Sequence, residues 1–508
     1  MRRLLLLGLL VALTAAKPPL RADGGFVIAS RRELFVDHHL IERMERARLL
    51  LHHPTPRELV WPETNQVSGK EWEGANRSVT VFQDGDLYRM YYRDHARVKE
   101  FYRVPGSSGD DDIVVCYAES HDGIRWRRPR LDLYATDDLK INNIVWAGTG
   151  GHNFAVFKDG NPNCLPEARY KAIGRVLLKT DPSPPQRDGT NYAWEKGCGL
   201  LAFQSPDGIR WRLMREERII KKGEFDSHNV AMWDAERQRY VAFIRIWQPD
   251  GTRIRSVAML ESNDFLHWSD PPRWLQYDRI PPEHLYDNNI SVYPRAPHLF
   301  VGLPMRLVPG RVKVADNPLP NETALNDTVL MTSRDGAHFH RWREAFLRPG
   351  PSRGAWWNEN NCVAWGFVTT RSQNEDAPPE LSVYCNEWYG TAKGNLRRHT
   401  LRLDGFVSLH ADAAPGEVVT HPFRFSGKEL VLNYETSAGG GVRVEVQDSR
   451  GRPLPGFALA DCPDLFGDEV EQVVRWKSGA RVAALAGQPI RLRFELTDAD
   501  VYAMQFRP

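Results

Sequence analysis

The sequence predicts an all-β protein, a five-bladed β-propeller followed by a C-terminal β-sandwich, and three observations predict it. Short apolar runs punctuated by Gly, Pro, Asn and Asp dominate the 508-residue chain, while long amphipathic helical stretches are scarce. One strand pattern recurs five times at a long period. A tight-turn motif recurs four times between its copies.

The strand pattern is a small polar residue followed by an apolar strand. It reads "SVTVFQDG" from Ser78, "NFAVFKDG" from Asn153, "NVAMWDAE" from Asn229, "NISVYPRA" from Asn289 and "NCVAWGFV" from Asn361, a period of 60 to 76 residues. Repeats are sought before a fold is named, because each unit cannot bury its apolar face alone. The turn motif is "SHDGIRW" at 120–126, "SPDGIRW" at 205–211, "SNDFLHW" at 262–268 and "SRDGAHF" at 333–339. Gly can take positive φ there, Ser and Asp bond neighbouring backbone groups, and the aromatic anchors the next strand. Phe265 replaces Gly in the third copy. With a further strand between the two motifs, each period holds four strands, the content of a propeller blade. The fifth unit lacks the turn but offers "ELSVYCNEWYG" as its third strand. The propeller is expected over residues 30–405.

From residue 406 the rhythm changes. Residues 406–508 carry "KELVLNYET", "GVRVEVQD", "VEQVVRW", "IRLRFELT" and "VYAMQF" without either motif, which predicts a small β-sandwich. At the other end, "MRRLLLLGLLVALTAAKPP" has a positive pair, an apolar run and small residues, the layout of a secretory signal over residues 1–16. The run is too short for a membrane anchor, and no later segment is long and apolar enough to span a bilayer. The mature protein is expected to be secreted or periplasmic.

Net charge is +2, from 67 basic and 65 acidic residues, and no basic block stands out. Nucleic acid is therefore not expected as a partner. Six cysteines lack C-x-x-C spacing, which argues against a zinc site; their even number permits disulfides without choosing a pairing. The sequence also lacks a dinucleotide glycine fingerprint, a phosphate loop, a Gly-x-Ser-x-Gly elbow and a His-Glu-x-x-His motif. No cofactor or catalytic metal is expected.

The innermost strands of a propeller surround one channel, so the residues just before them converge. One position before the aligned residue stand Arg77, His152, His228, Asn288 and Asn360; two before stand Asn76, Gly151, Ser227, Asp287 and Glu359; three before, Asp226 is the acid. Blade one adds Glu73. Such groups either cap strand mouths and satisfy backbone donors, or they line a site. Carboxylates from different blades facing one cavity suit cleavage of a glycosidic bond, one protonated to donate to the leaving oxygen, another ionised to activate water or attack carbon. Trp72, Tyr286, Trp356 and Trp357 flank the same mouths. They either stack on sugars or pack the blades.

On the five inner strands and the "SHDGIRW" and "SPDGIRW" turns, the chain resembles the five-bladed propeller glycosidases of glycoside hydrolase families 32 and 43, and the sandwich favours the family 32 arrangement. Through "RELFVDHHLIE", "HNFAVFKDGNP", "EFDSHNVAMWD" and "LRLDGFVSL" it also resembles a group of secreted bacterial proteins common in planctomycete-type genomes. The enzyme resemblance implies three acids. Blade one has "EWEGANRS" in place of the family's Asn-Asp-Pro, and blade two presents "GGHN" where the family has Arg-Asp-Pro, so the match is incomplete. The resulting expectation is Asp226 as base or nucleophile and Glu359 as acid, with Glu73 and Asp287 tuning or substituting. Arg77, His152, His228, Asn288 and Trp357 are expected to bind the sugar. Related propellers hold calcium in the channel in some cases, which makes the surroundings of His152 and His228 the place for a structural calcium. The functional expectation is a secreted glycoside hydrolase acting on a plant or algal poly- or oligosaccharide. The alternative is a carbohydrate-binding propeller without catalysis. A sialidase is a weaker reading, because only Arg77 supplies the arginine cluster at the aligned positions.

Overall fold

A computed structural model describes residues 26–60, 78–108, 112–136, 142–179, 197–278, 281–314, 323–389, 391 and 394–508. The chain divides into two compact units, Leu49–Ser408 and a second made of Met1–Arg48 with Leu409–Pro508.

Among the described residues the first unit contains five sheets, one for each repeat. Thr80–Asp84, Leu87–His95, Ile113–Ser120 and Ile144–Ala147 form the first, each strand pairing with the next. The second is Ala155–Lys158, Tyr170–Leu177, Cys198–Ser205 and Arg212–Leu213, and the third Val230–Asp234, Arg239–Trp247, Arg255–Ser262 and Arg273–Trp274. Middle strands such as Ile113–Ser120 are buried on both faces, because each blade is covered by its two neighbours. This is why they read as continuous apolar runs rather than alternating ones.

The fourth sheet departs from the four-strand pattern and has seven strands. Leu303-Pro304 interrupts what would be its second strand, leaving Ala296–Gly302 and Met305–Pro309. Proline cannot donate to the ladder, so pairing stops there. The two pieces then pair with opposite halves of the ten-residue strand Ala324–Ser333, Phe300 opposite Ser333 and Met305 opposite Thr328. His284–Leu285 and Gln276–Tyr277 add to this sheet at its margins.

The fifth sheet is closed by a strand from the start of the unit. Val368–Thr370, Glu380–Glu387 and Asn395–Arg402 are followed by Thr55–Leu59, antiparallel to the third. Its inner strand is shorter than the apolar run suggested. Around Gly366, at φ 114°, the backbone leaves the fifth sheet and bonds the first, with Trp365 N–H on the Val79 carbonyl at 2.8 Å and Val81 N–H on the Trp365 carbonyl at 2.9 Å.

All four copies of the turn motif fold alike. In the first, Ser120 Oγ accepts the Gly123 N–H at 2.9 Å, and Asp122 Oδ1 accepts those of Ile124 and Arg125 at 2.8 and 2.7 Å. The central residue is left-handed in every copy, at φ 69°, 78°, 70° and 76° for Gly123, Gly208, Phe265 and Gly336.

The second unit is the expected β-sandwich, but it does not begin at residue 406. It recruits the N-terminal segment, which shifts the start of the propeller unit from residue 30 to residue 49. Ile41–Glu45 pairs antiparallel with Gly416–Thr420, Phe26–Ala29 runs parallel to Phe423–Phe425, and Arg32–Leu34 pairs with Ile490–Arg507. The physical reason is the two long strands Glu429–Asp448 and Ile490–Arg507, which leave edges for further strands to satisfy. Their shared register breaks between Thr436 and Gly441, a bulge of the kind that lets one strand serve both layers of a sandwich.

Candidate active site at the mouths of the inner strands

In four of the five repeats the aligned Ser or Asn has a backbone reason. Ser78, Asn153, Asn289 and Asn361 all have left-handed φ, between 42° and 61°. Asn is among the few side chains that tolerate this conformation. Their side chains then tie the repeats together. Ser78 Oγ donates to Asn153 Oδ1 at 2.5 Å, Asn153 Nδ2 donates to the Phe225 carbonyl at 3.5 Å, and Asn289 Nδ2 donates to the Val363 carbonyl at 2.6 Å.

Inside this ring the channel is filled. The Trp365 indole donates to the Ile290 carbonyl at 2.8 Å, and the His228 ring stands edge-on to it, centroids 6.3 Å apart. His228 is buried, with Nδ1 3.3 Å from Asn289 Oδ1 and Nε2 3.5 Å from Thr80 Oγ1.

Four expected site residues are enclosed and hydrogen-bonded within the protein. His228 plugs the channel. Asp287 is buried, its Oδ1 accepting the His228 backbone N–H at 2.9 Å and its Oδ2 facing the Cys362 thiol at 3.1 Å. Asn288 is buried and donates to the carbonyls of Phe243 and His228. Trp357 is buried against Trp388, and its indole N–H is spent on the Tyr389 carbonyl, which leaves no ring face for a sugar. His228, Asp287 and Asn288 are tied to residues of other repeats, and Trp357 to its own. Glu73 and Arg77 lie outside the described residues, as do Trp72, Asn76 and the leader at 1–16.

Three expected residues keep access to solvent. Asp226 has a side chain 53% exposed, and its Oδ1 is 3.6 Å from His152 Nε2. His152 Nδ1 lies 3.3 Å from Arg175 Nη1, which orients the ring between a cation and a carboxylate. Glu359 is half-buried and has φ 69°, an uncommon conformation for Glu. Two side-chain amides hold it there: its N–H donates to Asn326 Oδ1 and its carbonyl accepts from Asn386 Nδ2, both at 2.7 Å. Strain of this kind persists only where the surroundings over-determine it, and it clusters at functional sites.

Sequence reasoning missed the second-strand arginines. Arg175 and Arg245 interrupt the apolar strands "YKAIGRVL" and "RYVAFIRIW", and that out-of-pattern charge was the available signal. Arg245 N–H donates to Asn229 Oδ1 at 2.8 Å and its Nε to the Glu224 carbonyl at 3.1 Å, so it grips both flanks of the turn that carries Asp226.

All six cysteines are free thiols. Among the described residues, no group of three His, Cys, Asp or Glu side chains is arranged to hold a metal ion, and no helix is long and apolar enough to cross a membrane.

No protein-family profile matches the chain, and no curated protein does. Solved structures similar to it include an N-acetylgalactosamine deacetylase from F. plautii in complex with blood group B trisaccharide, at 11% identity over 70% of this chain and 96% of that one, TM-score 0.42. A thermostable family-43 glycoside hydrolase is similar at 11% identity over 69% and 96%, TM-score 0.39. The Bombyx mori GH32 β-fructofuranosidase BmSUC1 is similar at 10% identity over 90% and 94%, TM-score 0.38.

Proposed function

We propose that this chain is a secreted glycoside hydrolase acting on a plant or algal poly- or oligosaccharide, with Asp226 as base or nucleophile and Glu359 as acid. One observation carries the reading: of the three described acids that the repeat alignment brings to the mouths, Asp287 is enclosed while Asp226 and Glu359 reach solvent. Each of the two is held, Asp226 beside His152 and Glu359 between Asn326 and Asn386.

The chemistry asks for two carboxyl groups in opposite protonation states. Glu359, half-buried and held on both sides, is assigned the proton donor, and the more exposed Asp226, with His152 beside it, the base or nucleophile. Their separation would set the stereochemical course, about 5 Å for retention and about 6.5–9.5 Å for inversion. His152 would contact sugar hydroxyls from the same side as Asp226. Glu73 would supply the blade-one acid.

The test is hydrolysis of a panel of plant and algal glycans by the mature protein beside Asp226→Asn and Glu359→Gln. Each variant is expected to lose roughly 10²–10⁴-fold in rate with its fold intact. Full activity in both would overturn the assignment. Saturable binding of a glycan without cleavage would make the propeller a carbohydrate-binding module instead.

A further inference from the structure

The turn carrying Asp226 is backed by a concentration of guanidinium groups for which the glycosidase reading gives no use. Arg245 is 5% exposed, and its Nε bonds only the Glu224 carbonyl. Its two Nη groups bond to no described residue, and no described carboxylate lies within ion-pairing distance. Arginine is almost never this deeply buried without a paired charge, because desolvating the cation is costly.

Two further arginines share its aromatic neighbours. The Tyr286 ring has Arg245 at 5.1 Å from its centroid and Arg255 at 4.9 Å. The Trp247 ring has Arg245 at 5.9 Å, Arg253 at 5.2 Å and Arg255 at 5.4 Å. Two aromatic faces thus gather three cations. Cation–π contact offsets part of the desolvation cost of Arg245 without supplying a negative charge. His284 adds no negative charge: burial, and then Arg255, push its pKa down, and its Nδ1 lies 3.3 Å from the Arg255 backbone N–H and 3.4 Å from Nη1. Asp226, the acid of the adjacent turn, faces His152 instead, with Oδ1 3.6 Å from its Nε2.

We propose that the sugar bound at this mouth carries an anionic group, a carboxylate or a sulfate ester, and that Arg245 and Arg255 receive it beside Asp226. The inference rests on the mouth being a carbohydrate site and narrows its substrate to acidic glycans. A guanidinium presents a planar fork of donors that matches the paired oxygens of either anion. A neutral hydroxyl would leave the buried charge of Arg245 uncompensated. Tyr286 and Trp247 hold the two guanidiniums in place while the anion arrives.

The experiment is calorimetric titration of the full mature chain with three sets of oligosaccharides: uronate-bearing, sulfated galactan and neutral arabinan or galactan. Arg255→Gln and Arg245→Lys are titrated in parallel, with urea midpoints confirming that each variant folds. The expected result is binding of an acidic set, weakened by salt and reduced roughly tenfold or more in either variant. The set that binds identifies the anion as carboxylate or sulfate. Binding confined to neutral sugars, or acidic binding indifferent to both variants, overturns the inference. Cleavage of a neutral glycan that is lost in Asp226→Asn would leave the glycosidase standing and this inference fallen. Arginine-dependent binding of an acidic glycan without cleavage would do the reverse.

Discussion

Asp94 lies at the mouth end of the second strand of the first sheet, 1% exposed, with Oδ1 accepting the His95 N–H at 2.8 Å and Oδ2 without a hydrogen-bond partner. Burial pushes its carboxyl up to about 7, against the opposing pull of the His95 N–H and the charges of His95, Arg128 and Arg93. The unfolded chain gives up this proton near pH 4. Between about pH 4 and 7 the folded protein keeps a proton that the unfolded chain has lost, so stability is full below that window and falls as pH rises through it. Asp94→Asn should flatten this dependence. Urea denaturation should find the variant equal to the parent near pH 4 and more stable at pH 8, by at most about 4 kcal/mol. A variant that tracks the parent at every pH would place the titration elsewhere.

The Ser-x-Asp-Gly turn explains its own exception. Phe265 takes the left-handed conformation that glycine takes in the other three copies, at a cost of roughly 1–2 kcal/mol. Its ring compensates by packing edge-on to Phe157, Tyr240 and Trp268 at 5.5, 5.4 and 5.8 Å. Phe265→Gly restores the repeat consensus and relieves the backbone, but it empties a site in the core where loss of a phenyl ring costs about 3–5 kcal/mol. The net expectation is a destabilisation of roughly 1–4 kcal/mol by urea titration. Unchanged or increased stability would mean that the aromatic contacts contribute little.

Two ion pairs tie the closing strand Thr55–Leu59 to the fifth sheet, Arg57 with Glu380 and Glu58 with Arg398, and the second reaches the interior. Arg398, fully buried on the third strand of the fifth sheet, donates to Glu58 of the closing strand at 2.8 and 3.0 Å and to Thr370 and Ser382 at 3.0 Å. The Arg398 hydrogen bonds, against partial burial, hold the Glu58 carboxyl below its ordinary value. This contribution is present above the ordinary carboxylate range and is lost as pH falls through the lowered value. Glu58→Gln leaves the guanidinium buried with a weaker partner. With Glu58 a third exposed, the loss should lie at the low end for such pairs, about 3 kcal/mol. Thermal melts at pH 7 and pH 4 check it: the gap between variant and parent should narrow at the lower pH. A constant gap would show that the pair contributes through shape alone.

The sequence by itself determined the strands, their grouping and the turns between them. Those follow from local chemistry repeated along the chain: Ser or Asn where φ is left-handed in four repeats, apolar residues where a strand is covered on both faces, and the Ser-x-Asp turn where the chain reverses in four. It also brought Asp226 and Glu359 to the same ring of mouths by alignment alone. Tertiary structure decided which polar residues of that ring face water, because enclosure depends on the neighbouring blade. Asp287 and His228 carry the same local signals as Asp226, yet Trp365, reaching in from the fifth repeat, closes the space around His228. The arginines behind Asp226 were legible only as misplaced charges, since what gives them meaning is the pairing that sets Arg245 and Arg255 around Tyr286. The N-terminal strands of the second unit were invisible for the same reason: a strand's partner is chosen by which edge is open, and that is fixed only when distant segments meet.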